Sequence, residues 1–391
     1  MQLVPRIVEL QDAFVAWRRD FHAHPELGYE EQRTSDLVAE RLESFGLEVH
    51  RGLAGTGVVG TLEGRLGDGP AIGLRADMDA LPMDEQTNLP YASRHPGRAH
   101  ACGHDGHTTM LLAAARYLAE TRNFKGRVHF IFQPAEEMLA GGERMVKEGL
   151  FERFPCTQVY GMHTAPNFAP GQIGVRAGPV LAAADSFEIT LTGRGGHGAY
   201  PHTTIDPIIV GAHLITALQT LVAREVDPID SGVVSVTRMH AGSADNVIAP
   251  TAVLGGTVRA FQPATRTALI EGVHRIAGAI ATALRAEAEV RFSDACYPPT
   301  IATEAEARHA AAIARSVVGD DNVVWDHPPA MGGEDFSFML QKVPGAFVML
   351  GAAGGSDPIM CHDPRFDFND ETLAIGASFW ARLVETTLTE T

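Results

Sequence analysis

Along the first part of the chain, apolar positions switch between helical spacing and short unbroken runs. Leu37, Val38, Leu42 and Phe45 line one face of a helix that Gly46 can end. Residues 57–62 and 71–76 read as strands, and residues 108–120 (TTMLLAAARYLAE) as a helix rich in Ala and Leu. Residues 127–132 and 158–162 read as strands again. The opening MQLVPRIVELQDAFVAWRRDF breaks its apolar stretches with charge and lacks a small-residue cleavage site. It reads as a helix, not a signal peptide. Unbroken apolar strands between helices predict a largely buried sheet with helices packed on it.

The rhythm changes near Asp185. FEITLTG at 187–193 alternates apolar and polar residues, as a half-exposed strand does. Residues 206–223 form an amphipathic helix, 233–240 and 253–261 two strands, 264–288 a long helix and 289–292 a last strand. The order β-α-β-β-α-β is that of a ferredoxin-like unit. After Tyr297 the first pattern resumes, with a helix at 304–318, a strand at 346–350 and a helix at 371–388. The expected fold class is therefore α/β: a discontinuous α/β sheet domain of residues 1–184 and 296–391, interrupted by an inserted ferredoxin-like domain of residues 185–295.

With 391 residues the chain exceeds one ordinary core. It carries 31 Lys and Arg against 48 Asp and Glu, a formal charge of −17, which argues against nucleic acid as a partner. No apolar run looks long enough to span a membrane, so no membrane partner is expected. The four cysteines, Cys102, Cys156, Cys296 and Cys361, form no C-x-x-C pair, and a reducing cytoplasm is the expected location. Cys102 and Cys361 each sit within two residues of a His.

Four apolar runs end in, or lead to, residues that bind metals: AIGLRADMD at 71–79, VHFIFQPAEE at 128–137, VYGMH at 159–163 and the segment 346–362 ending in Cys361-His362. ACGHDGH at 101–107 adds Cys102, His104, Asp105 and His107. Thiolate, imidazole and carboxylate are common ligands of zinc and related ions. In open α/β sheets, ligands sit beyond the carboxyl ends of the strands, so these side chains can converge. Each has an ordinary alternative. The Cys/His/Asp stretch could be a polar loop with Asp105 as helix N-cap. Glu136-Glu137 could be an acidic first helical turn. His163 and His362 could be satisfied histidines. Asp77 and Asp79 share one side of an extended segment, as ligands or as acceptors that orient a ligand His. Together the group points to a polynuclear metal hydrolase. A rival His22-x-His24 motif follows a helical segment, so HAHPELG reads as a turn in which Pro25 stops the helix. GGEDFSF at 332–338 reads as a helix N-terminus, with Glu334 near the site at most.

Ten stretches in order resemble one family. They are HAHPELGYEE, RADMDALPM, ACGHDGHTTMLL, IFQPAEE, GMH, GRGGHGAYPH, ADNVIAP, GTVRAF, GGEDFSF and CHDPRFDFNDE. The family is that of the dinuclear metallo-amidohydrolases: hippurate hydrolases, N-acyl-amino-acid amidohydrolases and auxin-conjugate hydrolases, relatives of aminoacylases and glutamate carboxypeptidases. The resemblance implies Cys102 as a ligand shared by two divalent ions, with His104, Glu137, His163 and His362 completing the sites. It implies Glu136 as general base; Asp79, from its place after the strand, is expected to orient a ligand histidine. His197 would reach a partner's active site in a homodimer or dimer-based oligomer and hold the oxyanion. Asn246 and Arg259 would bind the substrate carboxylate or help close the site, and the inserted domain would act as lid and dimerisation surface. Zinc or manganese are the first metals to expect, with cobalt or nickel also compatible. The implied reaction is cleavage of N-acyl or N-aroyl amino acids, small-molecule substrates, to a carboxylic acid and an amino acid. A dinuclear dipeptidase or carboxypeptidase is the alternative, and a binding protein without turnover a third reading.

Overall fold

The unbroken apolar runs become the central strands of a mixed sheet. The structure, a computed structural model, describes residues 1–352 and 358–389. Of the ligand-bearing segment 346–362, residues 353–357 lie outside the described residues. The chain forms two compact units. The larger comprises Met1–Val180, Ile301–Pro328 and Asp335–Thr391, and the smaller Leu181–Thr300 and Pro329–Glu334.

The sheet of the larger unit has the strand order Glu48–Leu53, Gly57–Glu63, Arg127–Gln133, Ala71–Asp77, Gln158–Ala165, Gly345–Gly351, Ile173–Val175, Val323–Trp325. The four strands from Arg127–Gln133 to Gly345–Gly351 run parallel. Gly57–Glu63 and Ile173–Val175 join that block antiparallel. Leu74 pairs with Phe130 on one side and Tyr160 on the other, all fully buried. Burial on both faces is why these strands read as continuous apolar runs. Each such buried Leu, Val or Phe stabilises the fold by about 1.5–3 kcal/mol. The parallel direction brings the carboxyl ends of all four strands to one edge.

The helix expected from residue 108 begins at His104 and runs to Thr121. It packs on the Ala71–Asp77 strand and on the helices Gln11–Ala23 and Leu373–Thr387. Its N-cap is Gly103, at φ 85°, and not Asp105. A Cβ on Gly103 would stand 2.7 Å from Thr164 Cγ2, and one on Gly106 would stand 2.3 Å from the Phe368 ring. The glycines of CGHDGH thus let the helix start sit tightly against its neighbours. The Gln158–Ala165 strand continues past residue 162, so His163 lies within it.

In the smaller unit four antiparallel strands lie in the order Gly232–Ala241, Thr251–Ala260, Ala183–Thr192, Glu287–Phe292. The helices Pro207–Thr220 and Pro263–Ala283 pack on this sheet. Ile189, Leu191, Leu214, Leu218, Leu254 and Val273 belong to its core. The second helix stops earlier than the apolar pattern implied, and Arg285 beyond it takes φ 67°. One expectation needs correcting: the stretch Pro207–Glu225 is long and apolar enough to cross a membrane by length and composition. Its side chains Val210, Leu214, Leu218 and Leu221 are nonetheless committed to the core of this unit.

Candidate metal centre

At the carboxyl edge of the parallel strands, side chains distant in sequence converge. Cys102, His104 and His163 offer ligand atoms within 4.8 Å of one another, as do Cys102, Glu137 and His362, and His104, Glu136 and Glu137. Cys102 is common to the first two groups. Its Sγ stands 3.4 Å from His163 Nε2. Glu137 Oε1 stands 3.2 Å from His362 Nε2 and 4.0 Å from His104 Nε2.

The surroundings fix which atoms point inward. His104 Nδ1 faces Asp79 Oδ1 at 3.1 Å, and Asp79 Oδ2 accepts the Glu137 backbone N–H at 2.9 Å. His163 Nδ1 lies 2.7 Å from the Thr164 carbonyl oxygen, to which it must donate. With Nδ1 committed to these acceptors, each imidazole turns Nε2 toward the cluster, the orientation metal-binding histidines adopt. His104 is fully buried, and its Nε2 has no hydrogen-bond partner among the described residues. A buried nitrogen left this way is costly unless something coordinates it. The donor set of thiol, imidazole and carboxylate fits a borderline divalent cation. His362 takes φ 69°, unusual for a residue with a Cβ, and is tied by its N–H to the Ala101 carbonyl at 2.7 Å. Backbone strain of this kind collects at functional sites.

The electrostatics are those of an acidic pocket. Burial alone would lower His104, but Asp77, Asp79 and Glu137 outweigh it and hold it well above its ordinary value. The hydrogen bond that Cys102 donates to Cys361, burial and Glu137 together push the Cys102 thiol up. Cys361, stabilised by Cys102 against the opposing effect of burial, falls to about 6. A coordinated cation reverses such a push on a thiol, which it deprotonates outright.

Beneath the cluster lies support that the sequence only hinted at. His107 Nδ1 meets Asp77 Oδ1 at 2.6 Å, and its Nε2 accepts from the Thr164 N–H at 2.9 Å. Burial lowers His107 to about 4, so it is neutral. Asp77 Oδ2 accepts from buried Arg75 at 2.7 Å, and Arg75 also reaches Gln133 and Asp335. The i, i+3 spacing of His104 and His107 was the available signal for a shared helix face. Asp105, rather than capping the helix, accepts from His22 Nδ1 at 2.7 Å. His22 ends a helix and not a barrel strand. In GGEDFSF, Asp335 does not cap the following helix, whose N-cap is Phe336. Its carboxylate takes the Gly142 N–H and the Gln133 amide.

His197, Asn246 and Arg259 belong to the smaller unit. His197 lies in the short strand Gly196–His197, paired with Val247–Ile248, and the Gly198 N–H bonds the Asn246 carbonyl at 2.8 Å. His197 and Asn246 are therefore neighbours on one exposed ribbon. Arg259 sits in the Thr251–Ala260 strand opposite Ala184 and Val233, where burial lowers its pKa against the pull of Asp185.

Residues 73–386 match peptidase family M20/M25/M40. The chain belongs to this family. It is 41% identical over 383 residues to the hippurate hydrolase of Campylobacter jejuni, covering 98% of each chain. It is 40% identical over 368 residues to a Bacillus subtilis N-acetylcysteine deacetylase, covering 94% of each. The crystal structure of Bacillus subtilis YXEP, described as a dinuclear metal-binding peptidase of the M20 family, superposes with a TM-score of 0.83 at 35% identity, covering 97% of this chain and 98% of that one. The resemblance read from the ten motifs is borne out. This M20 protein is a hydrolase, a metal-dependent amidohydrolase with a mixed α/β fold.

Proposed function

We propose that this M20 enzyme cleaves the amide bond of N-acyl or N-aroyl amino acids, hippurate-like substrates, with Glu136 as general base. The observation that carries the reading is the buried His104 Nε2, without a hydrogen-bond partner among the described residues and facing a group in which Cys102 is common to two ligand triads. Cys102, His104, Glu137, His163 and His362 would hold two divalent ions, zinc or manganese in the first place. Bound there, such ions polarise a carbonyl and make water a nucleophile at neutral pH.

Glu136 is buried beside Glu137 and His104. It takes the proton of the attacking water and passes it to the leaving amine nitrogen, so one carboxylate serves as base and then acid. Asp79 orients His104 and, through the Glu137 N–H, the turn that carries both glutamates. His197 donates to the oxyanion in the second subunit of a homodimer, and Asn246 and Arg259 bind the substrate carboxylate. The smaller unit acts as lid and dimerisation surface. Relatives named for benzoylglycine and N-acetylcysteine support the acyl-amino-acid class.

The test is a panel of N-acetyl amino acids, N-benzoyl amino acids and dipeptides, assayed after metals are stripped and defined ones restored. Turnover of acylated amino acids in preference to dipeptides is expected; the reverse preference would make it a dipeptidase. Glu136→Gln should lower kcat by about a hundredfold or more with bound metal unchanged. Near-normal turnover in that variant would remove Glu136 from the role.

A further inference from the structure

The segment Gly28–Glu31, within the HAHPELGYEE motif, has no part in the chemistry above, yet it grips the turn that carries Glu136. Glu31 is fully buried. One carboxylate oxygen accepts the Ala135 N–H at 2.8 Å and the other the Thr56 hydroxyl at 2.7 Å. Both donors are neutral, so the structure gives up water around a carboxylate in exchange for two ordinary hydrogen bonds. Burial, and next the charge of Asp79, raise Glu31 to about 7.

Ala135 is the residue that needs holding. It precedes Glu136, is fully buried, and takes φ 56° and ψ 45°, a left-handed conformation that a Cβ disfavours. Its carbonyl accepts from the Gly141 N–H at 2.9 Å. Gly28 lies so close that a Cβ there would stand 3.0 Å from the Ala135 Cα. The Tyr29 hydroxyl donates to the Leu139 carbonyl at 2.9 Å. The short helix Glu136–Leu139 is thus clamped from one segment at both ends, by Glu31 through Ala135 and by Tyr29 at Leu139. Strained backbone persists only where its surroundings over-determine it.

We propose that Glu31 is a positioning residue for the general base: its carboxylate holds Ala135 in the left-handed conformation that aims Glu136 at the reacting water. The inference rests on the reading of Glu136 given above. Glu31 touches no reacting atom; it acts through one hydrogen bond to the residue before the base.

Two conservative variants separate the hydrogen bond from the charge. Glu31→Gln keeps an amide oxygen at full reach of the Ala135 N–H and loses the charge. Glu31→Asp keeps the charge and loses the reach. The expected result is that Glu31→Gln retains kcat within about threefold, while Glu31→Asp loses about tenfold or more. A displacement of about 1 Å at a reacting group can cost about a hundredfold. KM and bound metal per chain should stay near wild type in both. The opposite order, equal losses in both, or wild-type kcat in Glu31→Asp would overturn the proposal. So would a loss that tracks metal content or folded fraction. Glu136→Gln, measured alongside, keeps the two claims apart. If it remains active, the assignment of the base fails; if it is dead while Glu31→Asp is unimpaired, only the positioning role fails.

Discussion

The bed of the metal centre and the ribbon carrying His197 and Asn246 are both rich in polar side chains, but they are held by opposite means. Under the centre, His104, His107, Asp77, Asp79 and Arg75 are buried and fixed by side-chain hydrogen bonds between separate elements. The ribbon is exposed, and backbone pairing of Gly196–His197 with Val247–Ile248 sets its shape. In the first region chemistry and stability cannot be separated, because removing one partner strands another in the interior. In the second a side chain can be changed at little structural cost.

Three variants probe that contrast, in order of expected effect. His197→Ala should lower kcat by about a hundredfold or more, the usual loss for one oxyanion donor, and leave bound metal and melting temperature unchanged. Unaltered turnover would take His197 out of the reaction. Asp79→Asn should weaken metal binding by about 10–100-fold, as loss of an outer partner of a ligand histidine does, and lower the melting temperature as well. A metal titration showing wild-type affinity would mean that the buried bed does not tune the ligands.

The smallest effect is one of pH. Burial would lower His22, but hydrogen bonds to Asp105 and Glu85 raise it from 6.5 to about 9. A folded-state value above the unfolded one gives stability that is complete below about pH 6.5 and lost as pH rises through about 9. His129, lowered by burial to about 4, works in the other direction, with stability present above about 6.5 and lost on acidification. Denaturant unfolding across this range should show a decline above neutrality that His22→Gln lacks. Parallel slopes in the two proteins would mean that His22 is not a charged strut.

Much of the candidate metal centre was legible in the chain because the proposed ligands are residue types of narrow chemistry. Glu137 and His163 stood out at the ends of apolar runs and Cys102 and His104 in the dense Cys/His/Asp stretch, and parallel strands explain why the run ends share one edge. His107 and Asp77 were harder, since a buried His–Asp pair looks like any two polar residues until the helix is seen to start at His104. Asp105 looked like a cap because helix starts attract Asp. Its partner His22 is 83 positions away in the chain, beyond any local pattern. For His197, Asn246 and Arg259 periodicity offered nothing, and only the family motifs singled them out.

Local rules were enough to predict the elements and their alternation, the buried sheet and the stock of metal-binding side chains, because burial period and residue chemistry are written position by position. Which nitrogen of His104 faces inward, and which carboxylate holds the turn before Glu136, only the folded chain decided. Those choices depend on contacts such as Glu31 with Ala135, 104 positions apart, which exist only once separate strands and loops are brought together.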